Sequence, residues 1–172
     1  MNESARQQRN LDRLQELHPA FRQRVQIMLA ALEAAGLHPR CQDAWRSPEQ
    51  QLLAWRNGYS KLKFGFHNVT GTEGDPAALA VDVLDNDAPD TASPAFLLQL
   101  AAAAEQTGLR TGIRWGLPLA LARAVDRAIA ARDWQAAIKL GWDPTHVETC
   151  DVTVAQARAG LRPSGPNQVE QT

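Results

Sequence analysis

A chain of 172 residues with 44% hydrophobic and 22% charged residues has the apolar content for one domain with its own core. Its net charge of −1 gives no general attraction to nucleic acid or to an anionic membrane surface. No apolar run approaches the roughly 20 residues that span a bilayer, so membrane insertion is not expected.

The opening segment, Met1 to Arg6, is polar and lacks the apolar stretch of a Sec signal peptide. Leu11, Leu14 and Leu17 recur at helical spacing up to Pro19, and a longer helix follows on Phe21, Val25, Met28, Leu29 and Leu32, stopped by Gly36. Residues 39–46 read as a short strand entering a turn. Ser47-Pro48-Glu49-Gln50 then predicts a helix start, with a serine cap, proline in the first turn and a capping box closed by Gln50. That helix carries Leu52, Leu53 and Trp55 and ends near Gly58. From Ser60 to Ala77 the composition is that of a loop, with His67 inside it.

Ala78 to Leu84 is the clearest strand, apolar throughout except for Asp82. After a polar loop, Ser93 and Pro94 open a helix on Phe96, Leu97, Leu100 and Ala104 that stops at Gly108. Leu109–Trp115 reads as a short extended piece. Residues 117–140 read as one or two helices, with Leu121, Val125 and Ile129 on one face and Asp133 as the cap of a second. Thr145–Cys150 reads as a last strand. The expected fold is α+β: a small, mainly antiparallel sheet carrying the site, packed against several helices, over residues 1–158, with residues 159–172 as a flexible tail. Cys41 and Cys150 are too few for a disulfide framework and are read as unpaired thiols, with pairing as the alternative.

Four side chains stand out chemically. An isolated carboxylate in an apolar strand costs several kcal/mol unless it is paired or bound to a cation, which singles out Asp82. His67, Asp82 and His146 together form a nitrogen and oxygen donor set that suits Zn²⁺ and leaves a fourth position for water. Asp143, three residues before His146, can take a proton from that water. His146 and Glu148 share one face of a strand because side chains alternate, and Asp143 and His146 are expected on either side of a tight turn. The five tryptophans, Trp45, Trp55, Trp115, Trp134 and Trp142, read as core or rim packing, with lining of a glycan groove as the alternative, and Trp115 and Trp142 are placed near the site. Asp75, Asp85, Asp87 and Asp90 lack calcium-loop spacing and read as solvated acids. Lys61 and Lys63 are surface lysines or attract an anionic substrate.

Four ordered segments carry a resemblance. Arg46-Ser47-Pro48-Glu49-Gln50 with Leu53 and Gly58, His67-Asn68 with Ala78 to Val83, Gly112 to Gly116, and Asp143 to Glu148 resemble, in order, the motifs of the M15-type zinc peptidases that cut peptidoglycan stem peptides. The likeness covers about residues 10–150 and extends to phage endolysins of that group. It implies His67, Asp82 and His146 as zinc ligands, Asp143 as general base, and Arg46 as the group that orients substrate or stabilises the oxyanion. Glu148, Ser47, Asn68 and Trp115 become supporting or substrate-binding residues, with direct ligation by Glu148 left open. Residues 70–77 and 117–140 read as inserts that should border the cleft.

The implied activity is zinc-dependent L-Ala-D-Glu endopeptidase action on the stem peptide. D-Ala-D-Ala carboxypeptidase action and a non-catalytic wall-binding module are the alternatives. A monomer is expected that is made in the cytoplasm and reaches the wall through a holin or a secretion machine.

Overall fold

The structure is a computed structural model, described over residues 1–164. It has an α+β fold in which six α-helices surround one four-stranded antiparallel sheet of order β1-β2-β4-β3. The strands are β1 (Pro39–Asp43), β2 (Ala80–Asp85), β3 (Leu109–Gly112) and β4 (Asp143–Thr149). The helices are α1 (Glu3–Gln15), α2 (Pro19–Ala34), α3 (Pro48–Arg56), α4 (Pro94–Gln106), α5 (Leu119–Ala131) and α6 (Val154–Arg158). No described helix is long and apolar enough to cross a membrane.

The periodic stripes become the core. Phe21, Val25, Met28, Leu29 and Leu32 of α2 are all buried, against Leu98, Leu100, Ala101 and Ala104 of α4 and the inward-facing Val81, Val83 and Val147 of the sheet. Each such side chain contributes roughly 1.5–3 kcal/mol on burial. The stripe in α1 is narrower than expected, because Leu14 is buried while Leu11 is 54% exposed. Polar contacts that the apolar pattern does not reveal fix α1 instead. Arg6 is buried, donating to the Pro39 carbonyl at 2.7 Å and to Glu33 at 2.8 Å. Asn10 accepts from the Cys41 amide at 2.7 Å and donates to Pro39 at 3.0 Å. With Arg9, which donates to the Cys41 and Gln42 carbonyls, they cover the outer edge of β1, which would otherwise offer free backbone groups.

Other local readings change. Ser47 caps α3 with the full capping box, yet the side chain that α3 buries is Gln51, while Leu53 and Trp55 are exposed. No second helix begins at Asp133: residues 133–140 are non-helical, and Trp134, Ala136, Ile138 and Leu140 pack alternately on the core. Residues 159–164 are tied down, with Arg162 donating to the Thr70 carbonyl at 2.7 Å and the Ser164 carbonyl accepting from Arg24 at 3.1 Å. The rest of the expected tail, residues 165–172, lies outside the described residues. Cys41 and Cys150 are both free, and burial pushes the Cys41 thiol up to about 12.

Candidate metal centre

Strand register brings the distant residues together. Asp82 of β2 sits directly across from His146 of β4, and Ala80 sits across from Glu148. Alternation turns Val81 and Val147 into the core and leaves Asp82, His146 and Glu148 on the opposite face. His67 arrives from a buried 3₁₀ turn, Phe66–Asn68. That turn is clamped to the segment before α3: the Arg46 amide donates to the His67 carbonyl at 2.9 Å, and Asn68 donates to the Arg46 carbonyl at 2.9 Å. Asn68 thus holds the turn, and Ser47 serves as a helix cap. Neither lines the cleft.

His67, Asp82 and His146 are the one group of three or more potential ligands among the described residues able to share a metal ion. His67 Nε2 lies 3.3 Å from His146 Nδ1, His146 Nδ1 lies 3.1 Å from Asp82 Oδ1, and His67 Nε2 lies 3.6 Å from the same oxygen. Bonds of about 2.0–2.1 Å in tetrahedral array place ligand atoms roughly 3.3 Å apart, so the three separations fit three corners of such a site. The rings are committed at their other nitrogens. His67 Nδ1 donates to the Ala44 carbonyl, and His146 Nε2 faces Glu148 Oε2 at 3.0 Å. In their neutral forms both imidazoles therefore aim lone pairs at one point beside a carboxylate oxygen, an arrangement that a cation relieves.

The flanking charges are equally ordered. Arg46 Nη2 donates to the outer oxygen of Asp82 at 3.1 Å, and its Nε pairs with Asp43. Arg110 donates to Glu148 Oε1 at 2.8 Å. Arg110 escaped the sequence reading, since only its register opposite Glu148 reveals it. Burial opposes the charged form of Asp82, but the His67 and His146 rings outweigh it and hold the carboxyl well below the usual range. Burial likewise opposes ionisation of Glu148, and its bonds to His146 and Arg110 prevail and lower it. Burial also disfavours the charged His146 ring, but hydrogen bonds to Asp82 and Glu148 raise it to about 9 in the metal-free protein. Glu148 orients and polarises His146 while the ligand triangle closes without it. Glu148→Gln is therefore expected to weaken the hold of this triangle on an added divalent cation about 10–100-fold, measured with Zn²⁺ as the probe by competition with a chromophoric chelator. An unchanged affinity would remove Glu148 from the site.

The triangle opens into a cleft of about 210 Å³ lined by Arg46, Lys61, Trp115, Trp142 and Asp143 among others. Asp143 does not lie across a tight turn from His146, as its spacing suggested. Both belong to β4, where the pairing jumps from Thr111↔Val147 to Gly112↔Asp143 and leaves a bulge between them. Beyond it the Gly141 amide donates to Ile113 at 2.6 Å. A Cβ on Gly141 would meet the Trp115 nitrogen at 2.6 Å, so only glycine permits this approach. Burial raises the Asp143 carboxyl above the ordinary aspartate range; His146 opposes the shift and Asp82 adds to it.

Trp115 packs on His146 with ring centres 5.2 Å apart, and Trp142 packs on Trp115 at 5.4 Å. Neither insert borders the cleft. Residues 70–77 fold back on themselves through a Thr70↔Pro76 bridge, and α5 packs against α4 on the far side of the sheet. No protein-family model matches this chain, and no curated protein matches its sequence.

Proposed function

We propose that this protein is a zinc-dependent peptidase that cuts peptidoglycan stem peptides between L-Ala and D-Glu. The observation that carries this reading is the His67–Asp82–His146 triangle at the base of an open cleft, with the carboxylate of Asp143 on the cleft wall. A bound Zn²⁺ supplies a Lewis acid that polarises a carbonyl and acidifies water near neutral pH. Asp143 accepts the proton of the attacking water and returns it to the leaving amine, so a C–O bond forms, the C–N bond breaks and the base is regenerated. Arg46 aligns Asp82 through its Nη2. Its Nη1 has no partner among the described residues and is available to the carbonyl oxygen as charge develops there.

The four ordered sequence segments support the choice of stem peptide, and an aspartate rather than a glutamate three residues before His146, at Asp143, favours the endopeptidase bond within it. On this reading the protein works as a monomer on the cell wall, delivered by a holin or a secretion machine.

Digestion of purified sacculi with added zinc, and with chelator, followed by mass spectrometry of the soluble products tests the reading. Zinc-dependent cleavage at L-Ala–D-Glu is the expected result. Release of free D-Ala would instead identify a carboxypeptidase, and wall binding without cleavage a non-catalytic module.

A further inference from the structure

Two cations, Arg46 and Lys61, line the cleft. Arg46 is already held by Asp43 and Asp82, whereas Lys61 has no carboxylate partner among the described residues. It is nevertheless not a loose surface lysine. The residues on both sides of it are pinned by one buried side chain: Gln51 Nε2 donates to Ser60 Oγ at 2.8 Å and to the Leu62 carbonyl at 2.7 Å. Ser60 Oγ in turn receives the Leu62 amide at 3.2 Å. The Lys61 ammonium stands 4.1 Å from the centre of the Trp142 ring, the outer member of the stack that runs through Trp115 to His146. An ammonium over an aromatic face still has N–H donors turned away from the ring.

Burying a glutamine to fix the backbone around an exposed lysine makes sense when the position of that charge matters. A fixed cation loses less freedom on pairing than a free one. Of the carboxylates on the cleft wall, Asp82 pairs with Arg46 and Glu148 with Arg110, which leaves Lys61 as the lining cation free to receive an anionic group.

We propose that Lys61 is a specificity-determining residue that receives a substrate carboxylate beside the bond to be cut, with Gln51 as its positioning residue. The inference rests on the peptidase reading and narrows its substrate to peptides carrying a free carboxylate there. In a stem peptide cut at L-Ala–D-Glu, the α-carboxylate of D-Glu is that group, and amidation removes its charge.

The test uses the zinc-loaded full chain and synthetic L-Ala-γ-D-Glu-L-Lys-D-Ala, with the D-Glu α-carboxyl either free or amidated. The wild type is expected to favour the free acid at least about tenfold in kcat/KM, through KM, as a charge-assisted hydrogen bond warrants. Lys61→Gln should abolish the preference by bringing kcat/KM on the free acid down to its own value on the amidated peptide, and Lys61→Arg should restore part of it. Gln51→Leu should reduce the preference without altering charge. A wild type indifferent to amidation, or a Lys61→Gln variant that keeps the preference, overturns the proposal while leaving the peptidase intact. A wild type that cleaves neither peptide nor sacculi overturns the peptidase reading itself.

Discussion

Asp143→Ala is expected to lower turnover of muropeptide by roughly 10²–10⁴-fold, the usual contribution of a positioned general base, with zinc content unchanged. Two carboxylates outside the ligand triangle line the cleft, and their surroundings assign their roles. Glu148 is saturated, with one oxygen on His146 and the other on Arg110, and those bonds lower its affinity for a proton. The Asp143 carboxylate accepts no hydrogen bond among the described residues, and burial raises its affinity for a proton. A base that is free and somewhat stronger than an ordinary aspartate suits proton abstraction; a saturated, acidified one does not. Paired measurements of kcat and of bound zinc by elemental analysis check this. Near-normal kcat in the variant would strip Asp143 of its role, and loss of zinc would recast it as part of the metal site.

Much of this arrangement was legible because a few residues violate their surroundings. Asp82 is the lone charge in the apolar run 78–84, and His146 and Glu148 flank the buried Val147; β2 and β4 then set them side by side. The strand pattern cannot say which strands pair, so the contribution of Arg110 stayed hidden. The bulge that carries Asp143 depends on an approach between backbones at Gly112 and Gly141, which no side-chain pattern encodes. The misread helix after Asp133 did leave a trace: Trp134, Ala136, Ile138 and Leu140 repeat every second residue, the period of extended chain. Gln51 was overlooked for the opposite reason, being a polar residue at the position where α3 turns inward. The supposed cleft inserts illustrate a further limit, because length alone does not tell which way an insertion folds.

Zinc affinity and metal-free stability are expected to respond to pH in opposite directions, and His146 is the cause. In the metal-free protein its imidazole titrates at about 9, above the roughly 6.5 of an unfolded histidine. A folded value above the unfolded one means that this group's stabilisation is fully present below about pH 6.5 and fades as pH rises through about 9. The loss is on the order of 3 kcal/mol. Zinc requires the same Nδ1 to be free of its proton, so each ion bound below pH 9 displaces about one proton. Affinity should then climb about tenfold per pH unit, near 100-fold between pH 6 and pH 8. Thermal melts at pH 6, 7 and 8 should show the metal-free Tm falling while the zinc-induced rise in Tm grows. Calorimetric titration of zinc at pH 7 in two buffers of different ionisation enthalpy counts the proton directly. Release of no proton, or a zinc affinity flat across that range, would mean that His146 does not bind the metal through the nitrogen it turns toward Asp82, and the triangle would lose one of its corners.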